Sequence, residues 1–291
     1  MTLRRYLQLD VFADRPGAGN PLAVVLDADG LDDAAMQAIA RWTRLPETTF
    51  VRRSRGNEAD YGIRIFSPRR EVPFAGHPSV GTAHAVLASG IAAPRDGVLV
   101  QGGVAGNLPL RIAGTGRRRT IAVRTPRASL LRVGSPDEPG LAAALAGLPP
   151  GRLPPALMDG GRRWWLAEVA DEAALRAAEP DWPAIAALAA ASDSMGLCVF
   201  ARSADPVYYL AVRAWVGAPG CFEDAASGAA NATLAAWLAM RGALPGTGGA
   251  YRVSQGREVG HDAIIELRVD DAGDVWSGGR VVTVVDGTID W

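Results

Sequence analysis

Three ionisable residues stand where a proton could be moved. Glu47 opens the run Glu47-Thr-Thr-Phe-Val51, whose later residues are apolar. A carboxylate entering a half-buried strand is harder to ionise than one in water, which suits a proton carrier working near neutral pH. A solvated glutamate at a strand end fits the same position. His77 lies in Phe74-Ala-Gly-His-Pro78. Pro78 fits the first position of a helix, with His77 just ahead of it. An imidazole there can bond a substrate, orient a carboxylate, or simply cap or pack. Asp224 follows Glu223 and precedes Ser227-Gly228 and a second Ala-rich stretch. Acidic groups ahead of a helix are favoured by its dipole whatever the function.

The elements that must position these residues come as a pair. Phe74 to Gly90 and Cys221 to Gly242 each pass through a tight glycine turn into an Ala-rich helix. Helix N-termini expose unpaired N–H groups and a positive dipole end, and so bind carboxylates. Two such starts, far apart in sequence, predict two similar halves able to clamp one small acidic substrate.

The spacing predicts helices at residues 32–45, 79–87, 141–148, 172–178, 182–191 and 229–241, with Asp32 capping the first and Gly90 ending the second. Strand-like runs surround them at residues 6–12, 22–26, 48–52, 61–66, 98–100, 108–112, 120–124, 163–169, 196–201, 208–215, 263–269, 274–276 and 281–285. Residues 134 to 160 are rich in Pro and Gly. The order is not a regular βαβ alternation. It predicts an α+β fold, each half curling antiparallel strands around its own helix. The halves are expected at residues 1–125 and 126–291, with a C-terminal tail that could return to the first.

Composition excludes several function classes. The chain of 291 residues carries a net charge of −1, so no bulk attraction to nucleic acid or membrane is implied. All 30 basic residues are arginine. Without lysine there is no Schiff-base chemistry and no P-loop lysine. Cys198 and Cys221 make no disulfide framework, and Cys221 is expected to be a small buried hydrophobe. Three isolated histidines (His77, His84 and His261) lack carboxylates at ligand spacing, so no metal site is expected. His84 reads as structural. No signal-peptide core follows Met1, and apolar runs stop well short of about 18 residues, so the expected location is cytoplasmic. Ser227 is not in a G-x-S-x-G elbow, and Gly17-Ala-Gly19 leads into a strand rather than a Rossmann helix.

Taken in order, the motifs resemble the PhzF-like (phenazine-biosynthesis) family, related in fold to diaminopimelate epimerase. The matching pieces are Asp10-Val-Phe12 with Gly19-Asn-Pro21, Glu47-Thr-Thr-Phe-Val51, Phe74-Ala-Gly-His-Pro78 with Gly81-Thr-Ala83, Glu223-Asp224 with Ser227-Gly228, Gln255-Gly256 and Gly278-Gly279. The resemblance implies two similar domains, each a barrel-like sheet around one central helix, with the active site in the interdomain cleft. It also implies a homodimer and a reaction needing no metal or organic cofactor. Glu47 would be the general acid/base, with His77 and Asp224 lining the site. Backbone N–H groups near Gly76 and Gly228 would hold a substrate carboxylate, with Asn20, Ser227 and Ala229 beside it.

The resemblance is to an isomerase that moves a proton between ring carbons of a dihydro-hydroxyanthranilate. Both helix starts lack the thiols of diaminopimelate-type epimerases. A cofactor-independent isomerase of a small unsaturated cyclic amino acid is therefore expected, in specialised metabolism. An amino-acid epimerase or racemase is the alternative, and a non-catalytic ligand-binding member the third reading. Three departures from the family pattern bear on the substrate: Ala225 follows the acidic pair, Ala229 removes a hydroxyl, and Gly260-His-Asp262 replaces a Gly-Arg-Pro.

Overall fold

Small residues let a helix sit deep among strands, and two helices of this chain do so in the computed structural model, which describes residues 2–54 and 58–291. Strands β1 (Leu3–Val11) and β2 (Asn20–Val25) lead to helix α1 (Asp33–Thr43). Strands β3 (Glu47–Arg52), β4 (Tyr61–Phe66) and the short β5 (Glu71–Val72) lead to α2 (Gly76–Ala88), followed by β6 (Val98–Gly103), β7 (Gly106–Ala113) and β8 (Thr120–Arg124). Next come β9 (Ser129–Val133), α3 (Pro139–Leu145), β10 (Ala156–Asp159), β11 (Arg163–Glu168), α4 (Glu172–Ala177) and α5 (Trp182–Ser192). The chain continues through β12 (Gly196–Arg202), β13 (Leu210–Val216), β14 (Phe222–Asp224), α6 (Gly228–Met240), β15 (Ala250–Gln255), β16 (Ala263–Val269), β17 (Val275–Gly279) and β18 (Val281–Asp290). The fold is α+β.

Two units emerge. One comprises residues up to Arg124 together with Gly278–Trp291; the other is Thr125–Ser277. In the first, α2 packs against β1, β2, β3, β6, β8 and β18. Ten of its residues are buried, from Gly76 through Val86. Close approach requires Gly81: a Cβ there would stand 2.5 Å from Leu22 Cδ2 and 2.8 Å from Val11 Cγ2. Helix α1 lies elsewhere on the sheet, where Met36, Ile39 and Ala40 join Phe50 and Phe66 in a separate core. Asp32 caps it, accepting from the Ala35 N–H at 2.8 Å.

The second unit repeats this connectivity. In the first, β1 and β2 are antiparallel, β2 and β3 parallel, β3 and β4 antiparallel, β4 and β5 antiparallel, and β4 and β6 parallel. In the second, β10 and β11, β11 and β12, β12 and β13, β13 and β14, and β13 and β15 show the same sequence of senses. The central helix follows the short strand each time, so α6 is the counterpart of α2. Helix α6 packs against β10, β11 and β16. Helices α3 and α5 pack on one another, and α5 on β12 and β13, around Trp165, Leu188, Leu197 and Trp215.

Several expectations are corrected. Both central helices begin earlier than their spacing suggests, at Gly76 and Gly228. Pro78 is thus the third residue of α2, where its missing N–H still costs no helical bond. His77 is the second residue, and Ala75 takes the cap position. Glu223 and Asp224 belong to a short strand, β14, where no strand was expected. Strands β5, β9, β10 and β15 likewise arise where none was expected. Cys221 is exposed rather than buried. No helix among the described residues is long and apolar enough to cross a membrane.

Candidate active site

Glu47 is the first residue of β3, at the point where the chain leaves the exposed Pro46 turn for the interior. Thr48, Thr49, Phe50 and Val51 behind it are buried. Two of these are fastened by hydroxyls. Thr48 Oγ1 lies 2.8 Å from Thr43 Oγ1. Thr82 Oγ1 on α2 donates to Thr49 Oγ1 at 2.8 Å, and Thr49 Oγ1 in turn reaches the Ala23 carbonyl at 3.3 Å. Strand β3 and helix α2 are thereby locked in one register. The lock brings His77 Nε2 to 3.4 Å from Glu47 Oε2, with side chains only 9% and 15% exposed.

The start of α2 is held from a second side. Ser79 Oγ donates to the Ala75 carbonyl at 3.0 Å, and Gln101 Nε2 donates to Ser79 Oγ at 2.9 Å. Tyr61 OH completes the relay by donating to Gln101 Oε1 at 3.3 Å. Ala75 has no side-chain oxygen with which to cap the helix, so no side chain of the capping residue competes for the first N–H groups. Gly76 and His77 therefore lie at an anion-favouring helix end beside a carboxylate–imidazole pair.

Asn20 is buried at the start of β2, two residues before Leu22, the register partner of Glu47. The turn ahead of it is tight. Phe12 is left-handed at φ 67°, Asp10 accepts from the Gly17 N–H, and a Cβ on Gly19 would lie 2.5 Å from the Val11 carbonyl oxygen. The Asp10-Val-Phe12 and Gly19-Asn-Pro21 motifs are thus two sides of one turn that delivers Asn20.

In the second unit, the acidic pair divides its labour. Strand alternation sends Glu223 and Asp224 to opposite faces. Glu223 forms a buried bidentate pair with Arg213, whose Nη2 lies 2.7 Å from Oε2. Arg213 also donates to the Leu175 and Ala178 carbonyls, so it ties β14 to the end of α4. Asp224 remains half-buried, and its Oδ1 accepts from the Ala226 N–H at 3.2 Å. Ser227 caps α6 by accepting from Ala230 N, while Gly228 and Ala229 form its first turn. Ala229 is the counterpart of His77, so the second unit carries no imidazole at that position. Gly196 opens β12 as Glu47 opens β3, so it has no carboxylate there either.

Neither cysteine supplies a thiolate to a helix start. Burial pushes the Cys198 thiol up to about 12, and the nearby Asp224 charge acts in the same direction. His261 lies in the turn after Gly256, its N–H donating to the Gly256 carbonyl at 2.9 Å. Among the described residues no cluster of three His, Cys, Asp or Glu side chains could hold a metal ion. Motif reading did not assign Gln101, Ser79, Asn231 or Arg213. Gln255 appeared only as part of a motif.

Comparison with known proteins adds to this geometry. Residues 9–287 match the family model described as phenazine biosynthesis-like protein (PhzC-PhzF). A trans-2,3-dihydro-3-hydroxyanthranilate isomerase from Pseudomonas aeruginosa is 34% identical over 278 residues, 94% of this chain and 92% of the relative. The Antisense-enhancing sequence 1 protein of Schizosaccharomyces pombe is 30% identical over 296 residues, 99% of each chain. Among solved structures, a PhzF-family phenazine biosynthesis protein from Bacillus anthracis superposes with a TM-score of 0.84 at 23% identity, covering 100% of both chains. A predicted epimerase from Pseudomonas aeruginosa gives 0.77 at 28% identity, covering 98% of this chain and 99% of that one.

Proposed function

The chain belongs to the phenazine biosynthesis-like (PhzC-PhzF) family and is an isomerase, and from that premise we propose that it moves a proton between carbons of a small unsaturated cyclic amino acid or related carboxylate, without a cofactor. The observation that carries this reading is the 3.4 Å approach of His77 Nε2 to Glu47 Oε2 at the start of α2. Glu47 takes a proton from a carbon next to a conjugated system and returns it to another carbon on the same face. His77 orients the carboxyl group and shares its charge. The N–H groups at Gly76 hold the substrate carboxylate, and Asn20 a further polar group. Asp224, Ser227, Gly228 and Ala229 are the proposed substrate contacts of the second unit. A homodimer and a place in specialised metabolism complete the proposal.

Glu47 has no positional counterpart in the second unit, so an epimerase would have to use His77 or Asp224 as its opposite-face acid. The epimerase reading keeps one support, the 28% identity to a predicted epimerase. Incubation with trans-2,3-dihydro-3-hydroxyanthranilate in D₂O separates the two. Isomerisation moves a double bond, changes the absorbance and labels the receiving carbon; epimerisation inverts and labels one centre. Glu47→Gln is expected to lower turnover by about 10²- to 10⁴-fold while leaving the fold intact. Turnover at the wild-type rate in that variant overturns the role of Glu47.

A further inference from the structure

The two central helices share a device outside the acid/base set. The fourth residue of each turns its side chain back onto the carbonyl of its own capping residue. Ser79 Oγ donates to the Ala75 carbonyl at 3.0 Å, and Asn231 Nδ2 donates to the Ser227 carbonyl at 2.9 Å. Each of these side chains is then gripped by a buried glutamine from the strand that follows the helix. Gln101 Nε2 donates to Ser79 Oγ at 2.9 Å, and Gln255 Oε1 accepts from Asn231 Nδ2 at 2.7 Å. The glutamines are 2% and 0% exposed, and each is followed by glycine.

The grip on α6 is the more extensive. Gln255 Oε1 also accepts from the Ser227 N–H at 3.2 Å, and its Nε2 donates to the Asp224 carbonyl at 2.7 Å. One carboxamide therefore joins the end of β14, the capping residue of α6 and its first turn. Gly256 supports this from the backbone. Its φ is 94°, and a Cβ there would stand 2.3 Å from the Ala225 carbonyl oxygen. Residues 224–227 thus rest on the Gln255 side chain and the Gly256 backbone on one side. On the other, the Glu223–Arg213 pair holds β14.

We infer that Gln255 in the second unit and Gln101 in the first are equivalent positioning residues that fix the two helix starts at which substrate is held. The inference rests on the proton-transfer reading for its effect on rate, and on geometry alone for its effect on structure. A neutral carboxamide suits the task. It donates and accepts at once, and it adds no charge that would compete with a bound carboxylate. The glutamines touch no reacting atom; they act through Ser79, Asn231 and the Asp224 backbone. Small displacements of such groups are costly, since misplacing a reacting group by about 1 Å can reduce rate about 10²-fold.

The test uses Gln255→Met and Gln101→Met, which keep side-chain length and remove every hydrogen bond. Circular dichroism gives the folded fraction, amide NMR spectra report the helix starts, and initial rates with trans-2,3-dihydro-3-hydroxyanthranilate give kcat and KM. In folded Q255M, kcat/KM should fall by about 10²-fold, a change no loss of folded protein would imitate. The amide resonances of residues 224–229 should be displaced, and in Q101M those of Gly76, His77 and Ser79. Wild-type kcat/KM in folded protein, or unmoved resonances at these positions, overturns the inference. Should Q255M not fold, Q101M carries the test: displaced Gly76, His77 and Ser79 resonances support the inference, and unmoved resonances there overturn it. If the wild-type protein leaves this compound unchanged, the substrate reading is what fails, and the amide spectra alone decide the positioning role.

Discussion

Glu223 and Asp224 are chemically alike and adjacent, yet the strand assigns them different work. Glu223 is 3% exposed at its side chain and paired with Arg213, itself 5% exposed. Breaking a buried pair by removing one partner leaves an uncompensated charge and costs about 3–5 kcal/mol. Glu223→Ala is therefore expected to lower unfolding free energy by about that amount in urea titration. Asp224→Asn should leave stability within about 1 kcal/mol and act on turnover instead. Equal stability losses in the two variants would show that the division is wrong. This division was not legible in the sequence, where Glu223-Asp224 reads as one acidic pair ahead of a helix. A three-residue strand is too short to display alternation, and the partner of Glu223 lies on β13. Glu47 and His77 were legible because each sits at a boundary the local sequence announces: a proline turn before an apolar run, and a Gly-His-Pro helix start. Their mutual approach was not, because it depends on the Thr82–Thr49 lock between helix and strand.

At the scale of elements, burial has a price that one histidine reports. His84 lies midway along α2 and its Nε2 is 3.1 Å from Thr283 Oγ1 on β18. Burial, and secondarily the charge of Arg119, pushes its pKa down to about 4 from 6.5. Between those values the unfolded chain binds the proton and the folded chain does not. Stability contributed by the neutral imidazole is thus complete above about pH 6.5 and is lost as pH falls toward 4. The loss is on the order of 2 kcal/mol. His84→Gln, which keeps a partner for Thr283, should remove that part of the pH slope in urea titrations at pH 7 and pH 4.5. An unchanged slope would locate it elsewhere. The central helices themselves were legible from their Ala-rich runs, but their first turns were not. Gly76 and Gly228 are poor helix formers, so local composition does not announce these first turns. Strand β10 was hidden by the Pro- and Gly-rich stretch from 134 to 160, where only the helix over 141–148 was legible, and β9 lies just ahead of that stretch. Tertiary pairing of β10 with β9 and β11 overrides that composition.

The repeat that relates the two units gives β18 a definite place beside β1. In the second unit β10 pairs antiparallel with β9, the strand just before it. In the first unit the corresponding place beside β1 is taken by β18, which pairs antiparallel with it from Leu3↔Asp290 to Val11↔Val281. The returning segment also carries Ile289 into the core with Tyr6 and Val25, and the Arg280 carbonyl accepts from the Phe12 and Ala13 N–H groups. The register of β18 on β1 was not legible, since nothing local specifies a partner so far away. A chain ending at Ser277 should therefore lose the protection of β1, β2 and α1 in hydrogen-exchange mass spectrometry, while β11, β12 and β13 stay protected. The same geometry offers a repair. Thr2 N donates to the Trp291 carbonyl at 3.2 Å, so β18 and β1 already form an open-ended hairpin. A permuted chain beginning at Gly278 and ending at Ser277, with two or three turn residues joining Trp291 to Thr2, makes each unit continuous. It should recover the lost protection. Because the β18–β1 contacts become local, the first unit should also refold faster than in the natural order. Protection of β1 in the truncated chain, or its absence in the permuted one, would show that β18 is not what completes the first unit.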